Sequence, residues 1–252
     1  MAEPRTAIVT GAGKRVGACL AESLIGDGWR VIAHVHHQED EVPEGAIKVV
    51  ADLVQRDCAD AIFAAADGPV TLLVNNAARF AWDAFGAFDG DEFDAHMAVN
   101  VRAPALLIDR FALAREEGQA GRGDALVVNL LDSKLAAPNA DYLSYTISKQ
   151  ALAGLTELAA RALAPRGIRV NAIAPGLMLR SSGQSEENFA SMHANNPLRR
   201  GVDPYHIADA LRYFIGATRV TGQTLLVDSG HHFLALDRDV QFLDRRDASE
   251  RD

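Results

Sequence analysis

Tyr145 and Lys149 stand one turn apart in Tyr145-Thr146-Ile147-Ser148-Lys149, so on a helix both side chains leave the same face. A phenol with a pKa of about 10 is a poor acid or base at neutral pH, and a nearby ammonium stabilises the phenolate and brings it into range. The pair alone arises by chance in many helices. Here it follows a buried-type strand, Ala125–Leu130, and the tripeptide Ala174-Pro175-Gly176 follows the next one. A second cluster lies near the start: Thr10-Gly11-Ala12-Gly13-Lys14-Arg15-Val16-Gly17, after one apolar run and opening a helical stretch. Glycines there permit a tight turn and let backbone N–H groups approach a pyrophosphate, and the helix N-terminus favours its negative charge.

The second strand of a dinucleotide site for NAD usually ends near an acidic residue that holds both ribose hydroxyls. Here it ends His34-Val35-His36-His37-Gln38, with no carboxylate before Glu39 and Asp40. Arg15 and His37 are therefore expected to face a 2′-phosphate, making the cofactor NADPH/NADP+. The competing reading folds Glu39 back as the ribose acid and leaves the histidines exposed. No metal is expected in the histidine cluster, because adjacent residues of a strand point to opposite faces and no Cys or carboxylate stands at a supporting spacing. Ala51-Asp52-Leu53 follows the third strand and Asn75-Asn76-Ala77-Ala78 the fourth. Open α/β sheets bind ligands at such strand ends, although Asn also serves turns.

These groups need a frame, and the 252 residues supply one. Strands are predicted at Thr6–Thr10, Arg30–Val35, Ile47–Val50, Val70–Val74, Ala125–Leu130, Arg169–Ile173 and Thr224–Val227, with helices at 15–27, 55–66, 91–117, 142–164 and 203–216 between them. Alternating β and α with near-continuous apolar strands predicts an α/β fold: one Rossmann-type domain over 1–252, its seven-stranded parallel sheet doubly wound with helices on both faces. The Gly-rich run Gly118–Gly123 reads as a loop. The polar stretch 177–204 is long enough for a lid or substrate loop, and 236–252 reads as a charged tail, frayed or interfacial. The net charge of −9 excludes a nucleic-acid footprint but not an anionic cofactor, which a few local cations can hold. Neither a signal-peptide core nor a bilayer-length apolar run is present, and Cys19 and Cys58 read as small core residues. A cytoplasmic protein with no membrane partner is expected.

From Thr6 to about Phe233 the sequence resembles the short-chain dehydrogenase/reductase family, on the ordered set Thr10–Gly17, Asp52, Asn75-Asn76-Ala77, Asn100, Tyr145/Lys149, Pro175-Gly176 and Val227-Asp228-Ser229-Gly230. The resemblance implies Tyr145 as proton donor or acceptor, with Lys149 binding the nicotinamide ribose and lowering the Tyr145 pKa. Asn100, in the long helix, would hold a water relaying protons to Lys149. Asp52 would contact the adenine and Pro175-Gly176 border the nicotinamide. Gly11, Lys14, Arg15, Val16, Gly17, His36, His37, Leu53, Asn76 and Ala77 complete the implied cofactor contacts.

Two departures from the general family pattern look like its pteridine reductase branch, which reduces pterin rings with NADPH. Arg15 stands where most members carry glycine. Asp132, thirteen residues before Tyr145, stands where a catalytic serine is usual. Phe80 matches an aromatic that sandwiches the pterin against the nicotinamide, and His34-Val35-His36-His37 resembles the branch's second-strand end. Ala78 departs from it, since a serine is common there. Arg15, Phe80, Asp132, Tyr145 and Leu177 are thus the implied substrate contacts. The chemistry agrees: reducing a ring C=N bond needs hydride at carbon and a proton at nitrogen, and a carboxyl beside a tyrosine can orient or feed that proton. Two alternatives stay open. A one-residue bulge would put Ser133 in the serine role, and Phe80 could simply cap the core. A carbonyl reductase or alcohol dehydrogenase, such as a 3-oxoacyl-carrier reductase, and a catalytically idle NADP-binding sensor are the rival functions. The resemblance also implies a homotetramer or dimer packed through the helix at 142–164.

Overall fold

The apolar residues of the strands point alternately to two helical layers. The computed structural model describes residues 5–117, 124–181 and 183–243. Its elements run β1 (Thr6–Val9), α1 (Arg15–Gly26), β2 (Arg30–Val35), β3 (Ile47–Val50), α2 (Cys58–Phe63), β4 (Val70–Asn75), α3 (Gly90–Met97), α4 (Ala103–Glu117), β5 (Ala125–Leu130), α5 (Leu143–Leu163), β6 (Ile168–Pro175), α6 (Glu186–His193), α7 (Pro204–Gly216) and β7 (Thr224–Val227). Ala7, Val9, Val31 and Ala33 join Leu20, Leu24, Leu211 and Phe214 in one cluster, which α1 and α7 cover. Ile8, Ile32, Leu73 and Val127 face the other way, onto Ile62, Leu107 and Phe111 of α2 and α4. Phe214 and Phe111 are fully buried in their layers, and truncating either to alanine costs about 3–5 kcal/mol.

All strand pairs are parallel, in the order β3-β2-β1-β4-β5-β6-β7. The chain reverses its direction of winding between β1 and β4, and a crevice opens there at the carboxyl ends of the strands. The doubly wound sheet is the one the sequence predicts. β6 extends beyond its predicted end to Pro175, which pairs with Val227.

Three elements differ from expectation. The helix expected over 91–117 is interrupted by a π turn at Ala98–Arg102, centred on Asn100, whose side chain bonds outside the helix rather than lying on its surface. The helix expected at 55–66 is confined to α2, because Asp52 accepts from the Val54 N–H at 2.9 Å and holds a turn ahead of it. The stretch 177–204 is not wholly irregular. α6 begins there on Ser185, whose Oγ accepts from the Asn188 N–H at 3.1 Å, with Glu186 and Glu187 in the first turn. The loop at Gly118–Gly123 and the tail beyond 243 lie outside the described residues. Residues 236–243 are described, and they fold back against the start of α5. Among the described residues no helix is long and apolar enough to cross a membrane.

Candidate functional site

The crevice holds two adjoining cavities, and the first is built by backbone. A Cβ on Gly17 would lie 2.0 Å from the Gly11 carbonyl oxygen and 2.6 Å from Asn76 Nδ2, so α1 packs onto its own entry turn with room only for hydrogen. Asn76 locks that turn by donating from Nδ2 to the carbonyls of Thr10 (2.9 Å) and Gly11 (3.2 Å). Thr10 Oγ1 accepts in return from the Asn76 and Ala77 N–H groups, both at 3.0 Å. His34 is a strut rather than a ligand: Nδ1 accepts from the Gly11 N–H at 3.2 Å and Nε2 meets the Ala51 carbonyl at 3.0 Å. Burial pushes its pKa down, so the ring is neutral.

This groove is lined by Gly11, Lys14, Arg15, Val16, Gly17, His36, His37, Asp52, Leu53, Asn76, Ala77, Tyr145, Lys149 and Pro175. Of the expected cofactor contacts only Gly176 is missing. It lines the neighbouring cavity instead, where a Cβ would come 2.8 Å from Asp228 Cβ. At the far end the His36 and His37 rings lie 3.9 Å apart and exposed, and His36 Nε2 is 3.8 Å from Asp52 Oδ1. Of the two carboxylates that follow the second strand, Asp40 and not Glu39 lines the groove. Its Oδ2 accepts from the His37 N–H at 3.0 Å, and that bond, with His37 and Lys14 nearby, holds its carboxyl below the usual range.

Arg15 lines both cavities. Its φ of 54° lies in the left-handed region that explains the family's glycine there, at a cost of about 1–2 kcal/mol for a side chain. Its guanidinium donates to the Arg180 carbonyl at 3.2 Å, on the substrate-loop side. Lys14 stands beside Arg15 in the groove, and its field reaches Asp40 and thus the His37 turn.

The catalytic candidates converge where the cavities meet. Tyr145 Oη donates to Asp132 Oδ2 at 2.9 Å, so the one-residue bulge that would substitute Ser133 does not occur. Asp132 Oδ1 accepts from the Lys134 N–H at 2.9 Å, capping a short 3-10 turn at Ser133–Ala136 and fixing the carboxylate. Lys149 is buried, 3% exposed, and donates from Nζ to the Leu130 carbonyl at 2.6 Å. Burial pushes its pKa down to about 8, with Asp132 pulling the other way. Its Nζ lies 5.7 Å from the centre of the Tyr145 ring. The expectation that Lys149 lowers the tyrosine pKa is not met: burial, then Asp132, pushes the phenol well above its ordinary value. Tyr145 is held protonated.

Asn100 stands apart from this group. Its Oδ1 accepts from the Arg79 N–H at 2.8 Å, and Nδ2 donates to the Arg79 carbonyl (3.0 Å) and Ser148 Oγ (2.9 Å). Its side chain therefore clamps the loop carrying Phe80.

The second cavity takes every expected substrate contact: Arg15, Phe80, Asp132, Tyr145 and Leu177. Phe80 is 45% exposed and so does not cap the core. Its ring stacks on Tyr142 at 4.4 Å and meets Tyr145 edge-on at 4.7 Å. Tyr142 was missed by the sequence reading; it precedes α5 with a left-handed φ of 55°, which helical spacing does not reveal. Lys134, His231 and Asp239 also line this cavity and were missed. Asp239 reaches the cavity by the folding-back of 236–243, which no local pattern announces.

Residues 11–232 match the family described as enoyl-(acyl carrier protein) reductase. Pteridine reductase 1 of Leishmania tarentolae is 31% identical over 89% of this chain and 95% of its own length. L-xylulose reductase of Bos taurus is also 31% identical, over 92% of this chain and 97% of its length. The solved structure of FolM alternative dihydrofolate reductase 1 from Brucella suis, in complex with NADP, superposes with a TM-score of 0.83 at 35% identity, covering 92% of this chain and 97% of that one.

Proposed function

Because this chain belongs to the short-chain dehydrogenase/reductase family, we propose that it is an NADPH-dependent reductase of a pterin-like ring such as dihydromonapterin, dihydrobiopterin or dihydrofolate. The observation that carries the reading is the Tyr145–Asp132 hydrogen bond of 2.9 Å beneath the exposed Phe80 ring. Relatives named for pteridine and alternative dihydrofolate reduction support it.

The groove suits a dinucleotide. The N-terminus of α1 opens on the groove and would favour the pyrophosphate, Asp52 and Leu53 would border the adenine, and Lys14, Arg15, His36 and His37 would lie toward the 2′-phosphate. Lys149, a buried ammonium with one hydrogen-bond acceptor among the described residues, has donors left for ribose hydroxyls. Bound NADPH supplies the hydride. Tyr145 gives a proton from Oη to the ring nitrogen, and its raised pKa keeps that proton in place until the nitrogen becomes basic. Asp132 orients the hydroxyl and passes the replacement proton from solvent. Phe80 offers a π face to a flat heteroaromatic, and Arg15 offers donors to its acceptor atoms. With its side chain engaged, Asn100 contributes a backbone carbonyl, displaced by the π turn, to any water beneath Lys149.

One Rossmann domain spanning the chain, with 177–204 as the substrate loop, belongs to this proposal. So does a homodimer or homotetramer through α5, on which Leu158 stands 67% exposed. Cys19 and Cys58, buried and unpaired, favour a cytoplasmic location.

A carbonyl reductase is the second reading, favoured by the likeness to L-xylulose reductase. A carbonyl needs a single hydroxyl donor and gives Asp132 no function. An idle NADP sensor leaves the Tyr145/Lys149 pair unexplained. The test is NADPH oxidation with dihydrobiopterin, dihydromonapterin and dihydrofolate beside a panel of ketones, sugars and acyl thioesters. Dihydropterin turnover is expected; turnover of carbonyls alone would remove the pterin and leave the family, and no turnover would favour the sensor.

A further inference from the structure

The substrate cavity has a second wall that the proposed ring chemistry does not use. Residues 236–243 cross its mouth as a strap, bound by Asp141, which is 5% exposed. The Asp141 carboxylate accepts from Arg238 Nε at 2.7 Å, Arg238 Nη2 at 2.9 Å and the Asp239 N–H at 2.8 Å. Tyr142 donates its hydroxyl to Gln241, and Asn188 of α6 donates to the Leu243 carbonyl at 2.7 Å. The strap is thus fixed at several points, and between them it presses one carboxylate inward.

That carboxylate is Asp239. Oδ1 accepts from the Gln241 N–H at 3.1 Å. Among the described residues Oδ2 accepts no hydrogen bond, and its nearest cation is Lys134 at 3.9 Å. The side chain is 22% exposed and lines the cavity together with Asp132 and Tyr145. A second polar atom on the same wall lacks a partner: His231 Nε2 is buried with no hydrogen bond. Burial pushes the His231 pKa down, so its ring is neutral. A buried polar atom without a partner among the described residues is uncommon and costly, and His231 Nε2 in a ligand cavity, with the partly exposed Asp239 carboxylate lining the same cavity, asks for a ligand.

Resting on the proposed reduction of a pterin-like ring, the geometry points to a subsite formed by Asp239 and His231 for a neutral, hydroxylated side arm on that ring, with vicinal hydroxyls as the matching groups. A hydroxyl both donates and accepts. One can donate to the Asp239 carboxylate while its neighbour pairs with the neutral imidazole in either tautomer. Dihydropterins with a hydroxylated arm next to the ring are therefore the favoured class.

The experiment compares kcat/KM for dihydrobiopterin, which carries a vicinal diol, with that for 6-methyl-dihydropterin, which carries none, in the full chain and in Asp239→Asn and Asp239→Leu. The expected wild-type preference for the diol is about tenfold to a hundredfold, the span of one or two hydrogen bonds to a charged or buried group. Both variants should lose most of it while turning over the methyl compound within about twofold of wild type. Equal losses on both substrates would make Asp239 a merely structural part of the strap and overturn the subsite, as would a wild type indifferent to the arm. Failure of the wild type to reduce either compound would instead overturn the ring assignment, and the subsite with it.

Discussion

The two cavities are built in opposite ways. The cofactor groove is built on a locally locked turn: Gly17 packs on the Gly11 carbonyl with no room for a Cβ, and the Asn76, Thr10 and His34 side chains tie the backbone of neighbouring strand ends. The substrate cavity is made of side chains from distant segments, with Arg15, Phe80, Asp132 and Asp239 brought together only by the tertiary fold. A site made by close backbone approach tolerates few residue types and is written locally in glycines and short polar side chains. A site made by converging side chains can be rewritten one residue at a time, and that is where specificity is set.

Breaking the catalytic junction between the two should have the largest effect. Tyr145→Phe removes the donated proton and should cut turnover by at least about a thousandfold, while NADPH binding, followed by fluorescence titration, persists. Loss of binding as well would mean that the groove is not independent of the chemistry.

Gly17→Ala attacks the groove alone. Its new Cβ would overlap the Gly11 carbonyl 2.0 Å away, and the entry turn must open to admit it. NADPH affinity should fall by about a hundredfold, and overpacking of about 1–3 kcal/mol should lower Tm by about 3–10 °C. Affinity within a few-fold of wild type would show that the turn is softer than its packing implies.

A pH titration sharpens the same comparison. The Lys149 ammonium is present below a pKa of about 8 and lost above it. NADPH affinity should therefore decline about tenfold as pH rises through that value, and Lys149→Met should flatten the profile. The smallest effect belongs to the edge of the groove. Lys14→Ala should weaken NADPH by about threefold to tenfold and leave NADH nearly unchanged, the size of an exposed charge contact. Equal weakening of both would remove Lys14 from the 2′-phosphate.

The same contrast decides what the sequence could reveal. The sheet was legible because strands buried on both faces read as apolar runs, and Gly11, Gly17 and Asn76 were legible because the turn they make is local. Asp132 and Phe80 were found by their offsets within family motifs. The π turn at Asn100 was not legible, since it arises from bonds to Arg79 and Ser148 that no helical periodicity encodes. The Arg15 bond to the Arg180 carbonyl was not legible either, since it rests on a left-handed φ of 54° and on a segment 165 residues away. The strap was hidden in a charged tail. Arg238 and Asp239 look like solvated surface until Asp141 gives them a buried anchor.

Asp132→Ser tests the central claim most directly, because it restores the residue usual in the family at the position on which the ring-reduction reading rests. The measurement is kcat/KM for a dihydropterin and for a reactive ketone in wild type and variant. The account predicts a fall of about a hundredfold on the dihydropterin with no loss, or a gain, on the ketone. Dihydropterin reduction unchanged within about twofold would contradict it, leaving Asp132 a turn cap and Tyr145 sufficient as proton donor.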